Sequence, residues 1–294
     1  MKRCFIVSMV FIGFCSCSPV SEDFPELKEP EVITPEEVGP NEELVTFTFT
    51  TTFMAPMTRA ATAITDHANR LDLWITDGTE TNEAHQTSTD TGFGTITMKL
   101  DKTKTYTVYV VAHNGASAVT LEDNTISFPN NKITKSYFYT NTFSPATTTN
   151  LDCNMSRMAC QFKLETTDAF PEDAGKMKFI VYGVGTTFDI ENQASSNITD
   201  KETLYEKINV KEEDGTASFT VTFLADDLTE TTLHNVRIQC LSKTDGSVLQ
   251  EKYFTDLPFL AGNVTTCKGA FFTSGSFSMT FTAEDWDYLD VINF

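Results

Sequence analysis

Alternation of apolar and polar side chains, with a period of two residues, is the feature of this sequence that most restricts its fold. Residues 44–53 read LVTFTFTTTF, which places four apolar side chains on one face of an extended chain: Val45, Phe47, Phe49 and Phe53. Successive side chains of a β-strand point to opposite faces, so this spacing predicts a strand with one buried face.

The same period continues along the chain. Further examples are RLDLWIT at 70–76, TITMKL at 95–100, TYTVYVVA at 105–112, ACQFKLET at 159–166 and SFSMTF at 276–281. Asp-Gly pairs at 77–78, 214–215 and 245–246 lie between or beside such runs and predict tight turns with positive φ. Short strands separated by turn signals predict an all-β fold of β-sandwiches.

Two segments interrupt this pattern. Residues 198–208, ITDKETLYEKI, predict a helix, because Thr199 and Glu202 have the spacing of a capping box. The Thr-, Pro- and Asn-rich stretch at 142–154 predicts a domain boundary. It divides the folded part into residues 44–147 and 148–294, each long enough for an ordinary sandwich.

The N-terminus resembles a bacterial lipoprotein signal. Lys2 and Arg3 precede an apolar run at residues 5–14, which is too short to span a bilayer and is followed by CSCSP. Cys17, after a small serine, suits lipidation better than Cys15, after a phenylalanine. We therefore predict a signal peptide at 1–17 with a lipidated Cys17; an ordinary cleaved secretory signal is the alternative.

Residues 18–43 form a predicted stalk. They contain five of the ten prolines, and nine acidic residues accompany one lysine. Proline prevents a regular hydrogen-bond ladder and like charges repel, so an extended spacer between membrane and folded body is expected.

Nothing in the sequence predicts an enzyme, a cofactor or a metal site. The four histidines have no metal-ligand spacing, and no nucleophile elbow or phosphate-binding loop is present. The net charge of −20 opposes binding to nucleic acid, which begins with neutralising phosphates.

Four cysteines follow the signal: Cys153, Cys160, Cys240 and Cys267. In an exported protein an even number permits two disulfides, and buried free thiols are the alternative.

Two tryptophans are candidates for sugar contact. Trp74 occupies the polar side of its strand pattern, and Trp286 lies in the acidic tail AEDWDYLD. Aromatic rings near carboxylates and threonines suit sugar stacking, although such rings more often close a sandwich or cover a subunit contact.

Arg59 is the one charged residue between Glu43 and Asp66. It is either a protease site or a plain loop residue.

Together these features resemble the Bacteroidales fimbrillin-like lipoproteins. The resemblance rests on the lipoprotein signal, the acidic linker, the VTFTFTTT…TRA segment and the closing stretch at 257–287. It implies two tandem transthyretin-like sandwiches and assembly by strand exchange. It also implies cleavage between Arg59 and Ala60, which removes the strand at 44–53 and leaves a groove for a strand of the next subunit.

The resemblance offers a donor or lock strand at the period-two tail containing Phe277, Met279 and Phe281; otherwise this is simply the last strand of the second sandwich. We expect a non-enzymatic fimbrial subunit or fimbria-associated lipoprotein at the outer membrane or cell surface. Its expected partners are other subunits or itself, the membrane through its lipid, and a host or glycan surface. The alternative is a glycan-binding surface lipoprotein. Shaft, tip, anchor and stand-alone roles stay open.

Overall fold

The computed structural model describes residues 43–53, 64–206 and 216–283. Some predictions lie outside the described residues: those for the signal peptide, for the stalk up to residue 42, and for Cys17, Arg59, Ala60 and Trp286.

The described chain is all-β, as predicted, with short 3-10 helices at Ile64–Asp66 and Pro129–Asn131 and no α-helix. Its strands, in chain order, are β1 (Leu44–Phe53), β2 (Arg70–Thr76), β3 (Thr81–Thr87), β4 (Thr95–Asp101), β5 (Tyr106–His113), β6 (Thr120–Glu122), β7 (Thr125–Ser127), β8 (Ser136–Phe143), β9 (Asn150–Arg157), β10 (Ala159–Thr166), β11 (Ala174–Asp189), β12 (Ala194–Glu206), β13 (Ser218–Leu224), β14 (Thr232–Ser242), β15 (Val248–Phe259), β16 (Asn263–Gly269) and β17 (Phe277–Ala283).

The first sheet has seven strands in the order β3-β2-β5-β8-β9-β1-β4. Neighbours are antiparallel except β1 and β9, which run parallel. β8 and β9 pair over a short stretch, with Tyr137 opposite Arg157 and Phe138 opposite Ser156. The sheet has two parts, β3-β2-β5-β8 and β9-β1-β4. Buried side chains from both parts form one core between them, as in two sheets packed face to face.

The second half of the chain forms two further sheets. One has the order β13-β10-β16-β17, and the other has the order β15-β14-β11-β7-β6 with β12 on β11. A core rich in phenylalanine includes Phe162, Phe179 and Phe223, all with no exposed surface. The arrangement is sandwich-like, as predicted.

The two halves are joined by shared structure. The β6–β7 hairpin belongs to the first half in sequence, but β7 pairs with the end of β11. A third apolar cluster combines residues of both halves, among them Trp74, Phe138, Phe188 and Leu224. β9, which the predicted boundary at 147/148 assigns to the second domain, pairs with β1 and β8 in the first sheet.

The predicted helix at 198–208 is wrong up to residue 206. These residues belong to β12, which pairs antiparallel with β11 over most of its length. Tyr205 is buried and donates its hydroxyl proton to the Thr220 carbonyl oxygen. Pairing with β11 and burial of this side chain override the local helix propensity of Lys, Glu and Leu.

Two of the predicted Asp-Gly turns are confirmed. Gly78 and Gly246 have φ values of 88° and 72°, which residues with a Cβ rarely adopt. The third pair, at 214–215, lies outside the described residues.

Candidate functional site

β1 lies inside the first sheet, bonded on both edges. It pairs antiparallel with β4, with Phe47 opposite Met98, and parallel with β9, with Thr50 opposite Asp152. A strand held on two edges satisfies its backbone donors and acceptors within the sheet. The strand predicted from the opening alternation is therefore an integral part of the fold.

The apolar face of β1 is buried as predicted. Phe47 and Phe49 are 0% and 1% exposed. Their ring centroids lie 4.9 Å apart, and Phe143 of β8 lies 4.5 Å from Phe47 and 5.7 Å from Phe49. Close, tilted aromatic pairs add to the free energy gained by burial alone. β1 thus anchors the core between the two parts of the sheet.

The C-terminal end of β1 is fixed by an aromatic contact and by side-chain hydrogen bonding. Phe53 stacks on His67 at 4.5 Å between centroids and meets the edge of Tyr137 at 4.7 Å. Thr52 donates from Oγ1 to Oδ1 of Asn154 at 2.6 Å. The last described residue before the segment containing Arg59 is therefore well packed.

Among the described strands, β17 lies at a sheet edge and pairs with β16 alone. Phe277 and Phe281 are half-buried, whereas Met279 is 52% exposed. Phe277 meets Phe254 edge-on at 5.1 Å between centroids. The three residues of the predicted donor or lock strand thus form the last described strand of their own sheet, with one edge unpaired.

The segment that leads into β17 is held by one carboxylate that sequence reasoning missed. Asp168 accepts hydrogen bonds from the backbone N–H groups of Phe271, Phe272 and Thr273 at 2.9, 2.7 and 2.8 Å. The hydroxyl of Thr273 also donates to it at 3.1 Å. These residues are about a hundred positions apart in sequence, so no local pattern reports the contact.

The four cysteines are buried free thiols in the structure. Cys160, Cys240 and Cys267 lie in the core of the second half, and Cys153 lies in the core of the first sheet. Burial raises the pKa of Cys153 to about 12 and that of Cys267 to about 11. Such thiols are poor nucleophiles and poor metal ligands.

Trp74, the candidate sugar contact on the polar side of its strand pattern, does not face solvent. Its side chain is 3% exposed and packs in the cluster that joins the two halves. Both faces of β2 are covered, because the second half packs against the face that the alternation assigned to water. A buried ring cannot stack on a sugar, so Trp74 does not serve as a glycan contact.

Two histidines converge on a buried carboxylate, Asp72 of β2. Nδ1 of His85 lies 2.8 Å from Oδ1, and Nε2 of His113 lies 3.0 Å from Oδ2. The Gly115 N–H donates to Nδ1 of His113 at 2.9 Å, so Nε2 carries the proton that Asp72 accepts. The Val119 N–H also donates to Asp72 at 3.0 Å.

These hydrogen bonds keep Asp72 charged. Burial alone would raise the pKa of its carboxyl, but the bonds from His113, Val119 and His85 outweigh it and hold the pKa below the usual value. The network ties β2, β3, β5 and the segment before β6 together. It is a structural arrangement with no open coordination position.

A third histidine lies beside an acidic and a hydroxyl side chain. Nε2 of His234 is 3.1 Å from Oδ2 of Asp226, and Ser195 donates from Oγ to Oδ1 of the same carboxylate at 3.0 Å. The carboxylate lies between serine and histidine, so the imidazole cannot take the Ser195 proton. In a nucleophilic triad the histidine lies between the serine and the carboxylate.

Residues 43–53, 64–206 and 216–283 contain no group of three or more His, Cys, Asp or Glu side chains that could hold a metal ion. Within the same ranges no helix is long and apolar enough to cross a membrane.

No protein-family model and no curated protein sequence matches the chain. Similar solved structures include a proposed adhesin from Bacteroides ovatus, with a TM-score of 0.53, 13% identity, and coverage of 81% of this chain and 96% of that one. A proposed adhesin from Bacteroides thetaiotaomicron gives 0.52, 8%, 81% and 95% for the same quantities. A proposed cell adhesion protein from Bacteroides ovatus gives 0.50, 12%, 84% and 99%. At these identities the similarity is one of fold, and this chain shares its fold with Bacteroides proteins proposed to act in adhesion.

Proposed function

We propose that this chain is a non-enzymatic cell-surface protein of the fimbrial type, which acts in adhesion and assembles with other subunits through replacement of its first strand. The observation that carries the proposal is the position of β1, which is paired on both edges and buries two phenylalanines. The fold shared with proposed adhesion proteins supports the surface role.

Cleavage between Arg59 and Ala60 is the first step of the proposed assembly. β1 ends at Phe53, six positions before Arg59, and β2 begins at Arg70. A cut in between breaks the covalent link from β1 to the remainder of the fold. β1 is then retained only by hydrogen bonds and apolar contacts, which a competing strand can replace.

Loss of β1 would leave a groove of defined chemistry. The facing edges of β4 and β9 would present backbone donors and acceptors, and the places of Phe47 and Phe49 would be empty apolar pockets. Strand addition draws affinity from main-chain hydrogen bonds and register from alternate side chains that fill pockets. A period-two segment with aromatic residues is the matching occupant.

The proposed donor or lock strand is β17. Its residues Phe277, Met279 and Phe281 have the required alternation, and the strand lies at a sheet edge with exposed side chains. Met279 and Phe281 would take the pockets of a neighbouring subunit with the same two-residue spacing that Phe47 and Phe49 have within the chain.

The uncut form is proposed to be held at the outer membrane. Lipid on Cys17 and the acidic stalk at 18–43 both precede Arg59 and continue into β1, so a cut at Arg59 followed by departure of β1 would release the folded body from both. A chain that keeps them would be an anchor or a stand-alone surface protein.

N-terminal sequencing of the protein from its own cells tests the processing step. A start at Ala60 is expected of the assembled form, and a blocked Cys17 is expected of the anchored form. Arg59→Ala is the matched variant that should remain uncut by an arginine-specific protease. Wild-type protein cut at Arg59 should assemble into oligomers, detected by size-exclusion chromatography and electron microscopy. Cut material that remains monomeric would contradict strand replacement.

A further inference from the structure

A cleft of about 390 Å³ opens between two hairpin turns of the described chain. The turn between β2 and β3 contributes Thr76 and Thr81, and the turn between β6 and β7 contributes Asp123 and Asn124. Tyr109 of β5 is a further lining residue. This volume falls in the range of about 300–1,000 Å³ that small-ligand sites occupy.

Both turns are rigid. In the first, Asp77 accepts from the backbone N–H groups of Thr79 and Glu80, each at 2.9 Å, and pairs with Lys104 at 2.6 Å. These partners, the lysine foremost, hold the pKa of the Asp77 carboxyl well below its usual range. Walls fixed in this way need little ordering when a ligand binds.

The second turn is fixed by backbone conformation and by one bond to the second half. Asp123 and Asn124 have φ values of 46° and 62°, the left-handed pair typical of a two-residue hairpin. Ile190, which also lines the cleft, donates its N–H to the Asn124 carbonyl at 3.0 Å.

The cleft contains polar groups that have no protein partner. In the part of the chain that the structure describes, no hydrogen bond engages the side-chain polar atoms of Asp123, Asn124, Tyr109 or Thr81. A carboxylate, an amide, a phenol and a hydroxyl therefore remain available on one surface. Tyr109 is half-buried against the apolar cluster between the halves, so its ring is held in position.

We propose that this cleft binds a neutral saccharide. Hydroxyl groups of a sugar donate to a carboxylate and accept from an amide, while its C–H face packs on an aromatic ring and on aliphatic side chains such as Leu121. An acidic sugar is disfavoured, because Asp123 is in the cleft and the neighbouring cation, Lys104, is already paired with Asp77. The site does not depend on β1 or on its replacement.

Saturation-transfer NMR on the full uncut protein tests the assignment. The probes are lactose, cellobiose and chitobiose as the neutral arm, and 3′-sialyllactose and a heparin disaccharide as the acidic arm. Each is used at about 10 mM, because a small open cleft gives dissociation constants near 1 mM. Transfer to at least one neutral disaccharide, and none to the acidic ones, is the expected result.

Substitutions in the cleft test whether the saturation-transfer signal comes from saccharide bound there. Tyr109→Ala and Asp123→Asn should each lower the affinity about tenfold, since Asn is well tolerated at the positive φ of position 123. Tyr253→Ala, which removes a 54% exposed tyrosine on β15, is the matched control and should bind as wild type. Absence of transfer to every neutral probe, binding by the acidic probes alone, or wild-type binding by both cleft variants would each overturn the proposal. Because the protein is uncut throughout, none of these outcomes bears on strand replacement.

Discussion

Truncation of Phe47 should be far more costly than truncation of an apolar side chain on β17. Phe47 has no exposed surface and contacts two other aromatic rings, Phe49 and Phe143. Phe47→Ala removes most of this burial and leaves a cavity, which lowers the free energy of unfolding by about 3–5 kcal/mol. A protein of this size has only about 5–15 kcal/mol in total, so one such change takes a large share.

Urea unfolding of the chain from residue 18 onward, followed by circular dichroism and tryptophan fluorescence, measures the cost. Met279→Ala on β17 is the control, because that side chain is 52% exposed and its truncation should change the free energy of unfolding by less than about 0.5 kcal/mol. A cost below about 1 kcal/mol for Phe47→Ala would show that β1 contributes little to the core. The groove proposed to need refilling would then not exist.

Three further predictions concern other parts of the molecule. Asp72→Asn should lower the free energy of unfolding by about 3 kcal/mol at neutral pH, because three donors lose a buried charged acceptor. The folded-state pKa of Asp72 lies below its unfolded value, so the stabilisation by its charge is complete above about pH 4 and is lost as the pH falls further. Urea titrations should therefore show a smaller loss of unfolding free energy for Asp72→Asn at pH 3 than at pH 7. Asp168→Ala should speed amide hydrogen exchange at Phe271, Phe272 and Thr273 while exchange in β1 stays unchanged; equal rates in the variant would contradict the role of that carboxylate. The four buried thiols should react slowly with a disulfide reagent in native protein at pH 8 and fully in denaturant; fewer than four titrated without reductant in protein isolated from its own cells would instead establish a disulfide.

Strand locations were largely predictable, because a strand with one buried face requires apolar residues at every second position of its sequence. The sequences of β1, β2, β4, β5 and β10 alternate in this way, although both faces of β2 are buried, and the Gly78 and Gly246 turns follow from the demand for positive φ. These signals are local, since each is carried by residues that lie close together in the sequence.

Long-range packing explains the failures. The alternation places Trp74 on the polar face of β2, but residues distant in the sequence, such as Phe188 and Leu224, cover that face. β12 carries helix-forming residues and is held as a strand by β11. The Asp168 contact and the convergence of His85 and His113 on Asp72 join distant segments, and no local pattern in the sequence reports such contacts.

The unequal edges of β1 have a directional consequence. One neighbour runs parallel to β1 and the other antiparallel, so a replacement strand matches both ladders in a single orientation. A chain that has lost β1 cannot donate β1 to another subunit, so the donated strand must be a different segment of the next molecule. Donor and acceptor surfaces then differ, so in an open chain of subunits each added copy points the same way. A fibre grown by this route would have distinct ends, with an open groove at one and a free strand at the other.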